Sequence, residues 1–138
     1  MATDQTKYNN PYVRSPGLND VGSYLVSGKP FMTGSVVANS TEVQIDFPNV
    51  TKSITVINKD ASGNDAIKVH FAPALSSYAT LNYITLDAKN SSITMNVKAK
   101  SIWVSNDSGN SSNFELFAEL TGINSQEMFT LTGPGIDA

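Results

Sequence analysis

The stretch Lys52-Ser53-Ile54-Thr55-Val56-Ile57-Asn58 returns 48 residues later as Lys100-Ser101-Ile102-Trp103-Val104-Ser105-Asn106, with five of the seven positions identical. In each copy apolar side chains fall on every second position, Ile54 and Val56 in one, Ile102 and Val104 in the other. Successive Cβ atoms of a strand point to opposite faces, so this period places the apolar pair on one face of a half-buried β-strand. The flanks repeat as well. An alternating strand precedes each copy (Val43 to Phe47; Ile93 to Val97), a Ser-Gly-Asn turn follows (Ser62-Gly63-Asn64; Ser108-Gly109-Asn110), and an apolar strand comes next (Ile67 to Phe71; Phe114 to Leu120). The unit is therefore strand, bend, strand, Gly-containing hairpin, strand. Three strands cover only one face of such a unit, so two copies are expected to pack face to face about 10 Å apart around a shared core. The repeat also assigns Phe114-Glu115-Leu116-Phe117-Ala118-Glu119-Leu120 to strand, although its Leu, Ala and Glu would allow two helical turns.

Outward from the repeat, Glu42 to Phe47 alternates cleanly, and Phe31 to Val37, Tyr83 to Leu86 and Met128 to Leu131 alternate more weakly. Seven to nine short strands at this spacing predict an all-β chain, a two-sheet antiparallel β-sandwich of jelly-roll-like form with an extended N-terminal arm. Composition agrees: Ser, Thr and Asn make up 43 of the 138 residues, and residues of high helix propensity are scarce. The length fits one domain, residues 22–132, followed by a tail, 133–138. Residues 1–21 contain Pro11, Pro16 and few aliphatic side chains. Ordering some twenty residues costs about 20–40 kcal/mol, which so few apolar groups do not offset. The segment is read either as an arm reaching up to about 70 Å across a neighbouring subunit or as a loose terminus. As an arm, its anchors are Tyr8, Tyr12 and Arg14, with Tyr24 beyond them.

Several function classes drop out. Cysteine is absent, which excludes disulfide scaffolds, thiolate metal sites and cysteine nucleophiles, and a formal net charge of -3 lacks the cationic footprint of a nucleic-acid binder. No apolar run approaches the roughly 18 residues that span a bilayer, and the first residues lack the apolar core of a secretory signal, so a product made in the cytoplasm is expected. His70 is the only histidine. Alternation places it outward beside Lys68, as a surface residue, and leaves no metal cluster. Asp60, Asp65 and Asp107 lie in the Gly-containing loops, where turn chemistry explains them better than a cation does. Glu115 and Glu119 share a strand face about 13 Å apart, too far for a retaining glycosidase pair. No phosphate-binding glycine loop is present, and the five Asn-x-Ser/Thr sequons follow from composition. No enzyme, no catalytic residue, no metal and no cofactor is expected. The outward aromatics Trp103 and Phe117 stand out as either partner contacts or core under an extra layer.

Three stretches carry a family resemblance: Val21-Gly22-Ser23-Tyr24-Leu25-Val26-Ser27-Gly28-Lys29-Pro30-Phe31, the two Lys-Ser-Ile-x-Val-x-Asn strands, and Phe114-Glu115-Leu116-Phe117-Ala118-Glu119-Leu120-Thr121-Gly122-Ile123. Together, over about residues 21 to 123, they resemble small β-rich structural proteins of tailed bacteriophages. The resemblance implies a virion component of the capsid decoration or cement type, present in many copies or as a homo-oligomer. Such a protein binds the major capsid protein lattice or other virion proteins and stabilises the head. It would be made in the host cytoplasm and reside on the virion capsid surface. No catalytic residue carries over. The alternative is a glycan-binding or host-adhesion module of a phage fibre or tail, with Trp103 and Tyr83 as stacking platforms.

Overall fold

A computed structural model of the chain describes residues 17–74 and 82–138. Among the described residues the alternating segments form eight strands: β1 (Lys29–Val37), β2 (Thr41–Asp46), β3 (Asn49–Asn58), β4 (Ile67–His70), β5 (Ile84–Leu86), β6 (Ser92–Met95), β7 (Ser101–Asn106) and β8 (Ser112–Asn124). A helical turn, α1 (Gly22–Leu25), precedes β1, and a 3₁₀ turn, Ser125–Glu127, follows β8. All strand pairs are antiparallel. They build sheet A in the order β1-β8-β3-β6 and sheet B in the order β2-β7-β4-β5. That double Greek-key order makes the sandwich a jelly roll. Between the sheets, Ile54, Val56, Leu116 and Ala118 of sheet A meet Ile67, Val69, Ile102 and Val104 of sheet B. Phe31 and Phe47 close one flank edge to face, 5.3 Å between centroids. Each fully buried aliphatic contributes about 1.5–3 kcal/mol.

The repeat is present, but its copies do not form one sheet each. The chain divides into β1–β4 and β5–β8, and every hydrogen-bonded neighbour of a strand comes from the other half. Exchanging β1 with β5, β2 with β6, β3 with β7 and β4 with β8 turns the order of sheet A into that of sheet B. The Ser-Gly-Asn segments are accordingly not hairpins within a sheet. They carry the chain across the sandwich, from β3 to β4 and from β7 to β8. Period-2 alternation fixes which side of a strand is apolar; it does not fix the neighbour.

Hydrogen bonds obey the same relation. Asn58 ends β3 and Asn106 ends β7, and both are 0% exposed. Asn58 Nδ2 donates to the carbonyls of Asp65 and Leu86, both at 2.9 Å, and its Oδ1 accepts from Asp60 N at 2.9 Å. Asn106 Nδ2 donates to Asn110 O at 2.6 Å and Val37 O at 2.9 Å, and its Oδ1 accepts from Ser108 N at 2.9 Å. Leu86 ends β5 and Val37 ends β1. Each asparagine therefore ties the end of its strand to a strand of the opposite sheet and to its own crossover loop. Gly63 and Gly109 sit at φ +87° and +105° in those loops, in the left-handed region where a Cβ is strained. Near the centre, Thr51 N donates to Ala99 O at 3.1 Å while Ala99 N donates to Thr51 Oγ1 at 3.0 Å. Register shifts in the β3–β8 ladder on either side of Thr51 accompany its complete burial within β3.

Three further segments depart from the sequence expectation. Met128 to Leu131 is not a strand: Met128 is buried with Val50 and Ile123 in a second small cluster, and Leu131 packs against both clusters. Gly17–Val21, assigned to the arm, turn back onto the body instead of extending. Asp20 N donates to Gly17 O at 3.0 Å, and Leu18 packs on that second cluster. The tail folds too, with Gly133 O accepting the amides of Ile136, Asp137 and Ala138.

Candidate functional site

The outer face of sheet A combines exposure with little charge. Register sets its rows: Met32 lies opposite Phe117, and Phe117 opposite Thr55, which faces Thr94. In the next row Gly34, Glu115, Ile57 and Ser92 follow one another. Phe117 is 40% exposed, and Met32 and Val36 are more exposed still. Thr55 and Thr94 share a hydrogen bond of 2.9 Å between their hydroxyls. Of the two carboxylates on β8, Glu119 accepts from Ser53 Oγ at 2.6 Å, while Glu115 is free to face solvent. A shallow depression among Met32, Thr33, Ile57 and Phe117 marks the centre. Phe117 thus stands where the alternation of β8 places it, and Met32 joins it from a strand that the sequence marks only weakly.

The outer face of sheet B is partly roofed. Trp103 points outward from β7 but is half-buried, lining a cleft of about 260 Å³ with Phe71, Pro73, Leu131, Lys100 and Asp137. Segment 130–132 forms one wall. Tyr83 does not line this cleft; Lys68 Nζ lies 4.4 Å from its ring centroid, a cation–π contact.

His70 lies opposite Trp103 on the predicted outer side of β4, yet it is 2% exposed, which corrects its expected place on the surface. Its Nδ1–H donates to Ala72 O at 2.6 Å, because a carbonyl only accepts. The neutral ring then presents Nε2 as an acceptor to Ser105 Oγ–H, 3.0 Å away. Burial pulls its pKa below the usual histidine value, against the opposing pull of the Ala72 carbonyl and the Glu42 carboxylate. Glu42 Oε2 is 3.9 Å from Nε2 and also accepts from Ala74 N at 3.1 Å, which helps hold segment 71–74 beside the ring. A serine against an unprotonated imidazole is the contact of a hydrolytic dyad, but Ser105 is 1% exposed and no substrate reaches it. The cluster is a buried polar clamp.

Turn chemistry takes up Asp60 and part of Asp65, whereas Asp107 is held by an ion pair rather than by its turn. Asp60 Oδ2 accepts the amides of Gly63, Asn64 and Asp65 at 2.8, 3.1 and 3.2 Å and the hydroxyl of Ser62. The Ser62 hydroxyl and these amides hold its pKa below the usual carboxylate range. Asp65 accepts from Asn110 Nδ2, and Asp107 pairs with Lys68 Nζ at 2.7 Å. Among the described residues no group of three His, Cys, Asp or Glu gathers as a metal site.

Of the arm anchors, Tyr8, Tyr12 and Arg14 lie outside the described residues. Tyr24 sits on α1, half-buried, and donates its hydroxyl to Leu18 O at 2.6 Å; burial pushes its phenol up. It covers the second cluster of its own domain.

No family model and no curated protein matches the chain. Among solved structures it is similar to the Yersinia pseudotuberculosis-derived mitogen, at 10% identity and a TM-score of 0.39 over 78% of this chain and 99% of that one. It is also similar to a Bacillus endospore appendage pilus protein, at 16% identity and a TM-score of 0.36 over 70% and 93%. Likenesses this distant carry no functional argument.

Three features escaped the sequence. The asparagine ties had a signal, since Asn closes both copies of the repeat. The Ser105–His70–Glu42 clamp had none, because its members come from three strands. The Met32–Val36 surface was visible only as the off-phase positions of Phe31 to Val37.

Proposed function

We propose that the protein is an adhesive structural subunit, a capsid decoration protein of the kind its phage resemblance implies, and that it docks on its lattice through the outer face of sheet A. One observation supports this most: an uncharged row of exposed Met32, exposed Phe117 and half-buried Thr55, with Ile57 beside it, on the outer face of sheet A. Aromatic and Met side chains with few charges are what the centre of a protein interface uses. Tyr8, Tyr12 and Arg14 are the arm contacts of this proposal, added as intramolecular events once the domain has docked. The test is co-purification with intact particles. Phe117→Lys should lower bound copies by about tenfold or more, since it places a charge in an apolar contact, while leaving the thermal midpoint unchanged. Wild-type protein absent from particles, or Phe117→Lys bound as well as wild type, refutes the proposal.

A second reading, glycan binding, is favoured by the Trp103 cleft, whose apolar wall ends in Lys100 and Asp137. Trp103→Ala against a glycan array decides it: no signal for the wild-type protein removes the idea.

A further inference from the structure

We propose that two copies of this chain pair through the free edge of β1, antiparallel about a two-fold axis at Gly34, so that their A sheets become one continuous sheet. The pairing concerns the protein in solution and holds whether or not the capsid reading does.

Among the described residues, β1 has β8 on one side and no strand on the other, and only its last residue, Val37, is tied across the sandwich, by Asn106. An open edge presents a row of unpaired backbone N–H and C=O groups, and natural proteins shorten, charge or cover such edges. The other three edges are treated that way: β5 has three residues, β6 has four, and β2 carries Glu42 and Asp46. β1 has nine residues, with no charge from Pro30 to Val37.

The sequence of that edge is a chemical palindrome. Around Gly34, Phe31-Met32-Thr33 is mirrored by Ser35-Val36-Val37. An isologous antiparallel pair requires this kind of symmetry, because residue i of one copy faces residue j of its mate and j faces i. With the axis at Gly34, Met32 faces Val36 of the second copy on the outer side, and by symmetry does so twice. On the inner side Thr33 faces Ser35, and Phe31 falls opposite Val37, which its own core already buries. Apolar groups meet apolar groups and hydroxyls meet hydroxyls, pairs that stabilise a ladder. Met32 is 75% and Val36 61% exposed in the single chain, and this register covers both. Moving the axis to Thr33 would set Met32 against Gly34 and Val36 against Pro30, losing those contacts.

Two further features suit the register. Pro30, which has no N–H to give, falls beyond the ladder, opposite Ala38 of the second copy. Glu115 flanks Gly34 from β8, so the two copies of Glu115 stand three strand spacings apart, about 14 Å, beyond the screening length at physiological salt. Gly34 itself is fixed by its own sheet: a Cβ there would meet the Phe114 carbonyl oxygen at 2.7 Å. A substitution at Gly34 would therefore disturb the fold, and the test avoids it.

Sedimentation equilibrium of the full chain should give twice the mass of one 14.8 kDa chain. Met32→Lys with Val36→Lys in one chain should raise the dimer dissociation constant by about tenfold or more, with an unchanged circular dichroism spectrum. Met32→Lys alone and Val36→Glu alone should each weaken the dimer, and mixing those two variants should restore it, because the new charges face each other across the axis. A monomeric wild-type protein, a double variant as dimeric as wild type, or a mixture no tighter than its components would overturn the proposal.

Discussion

Replacing Asn58 or Asn106 by alanine tests whether the two halves are held by the polar ties described above. Asn58→Ala deletes both Nδ2 bonds and the Oδ1 acceptor while leaving the Asp65 and Leu86 carbonyls and the Asp60 amide in place. A buried polar group left without its partner costs about 1–3 kcal/mol. Three such groups in one site, whose losses do not add in full, put the loss at about 3–5 kcal/mol, against a total of about 5–15 kcal/mol for a domain of this kind. At this chain length that corresponds to a midpoint lowered by roughly 10–15 °C. Asn106→Ala removes the equivalent three bonds and should lose a similar amount. The measurement is urea and thermal unfolding of both variants beside Asn96→Ala, an exposed position expected to stay within about 0.5 kcal/mol of wild type. A loss below about 1 kcal/mol at either buried asparagine would show that the ties are incidental and that apolar packing alone joins the halves.

His70 makes stability depend on pH. Its folded pKa is lowered from 6.5 by burial, so the unfolded chain takes up a proton first; stability is complete above that pH and declines as pH falls below it. Urea unfolding between neutral and mildly acidic pH should show this decline, and His70→Phe should flatten it; an unchanged slope in the variant would mean that another group titrates. Truncation separates the arm from the body: removing residues 1–16 should leave the unfolding midpoint unmoved, whereas removing 1–20 takes Leu18 from its cluster and should cost about 1–2 kcal/mol. Equal midpoints for the two truncations would remove Leu18 from the account.

The strands were legible because each is half-buried, and a half-buried strand alternates. Ile54 with Val56 and Ile102 with Val104 mark the inner face without knowledge of any neighbour. The order of strands was not legible, since pairing joins residues far apart in sequence and alternation is indifferent to the partner. For the same reason the copies were expected to stand one per sheet when they interleave. His70 shows the limit at a single residue: its side of β4 followed from alternation, but its burial depends on segment 71–74 lying beside it and on Glu42, which are tertiary facts. Phe117 was readable because the described residues leave it exposed, whereas Trp103, of equal promise in sequence, lies against segment 130–132.

Interleaving also constrains how the protein is born. As the first half leaves the ribosome, β1, β2, β3 and β4 have no hydrogen-bonding partner among themselves, because every rung they require lies in residues still to be translated. The nascent chain must keep its apolar strands from pairing wrongly until β8, the neighbour of both β1 and β3, emerges. Folding is thereby tied to the emergence of β8, and two separately expressed halves should regain the native sheets only when mixed.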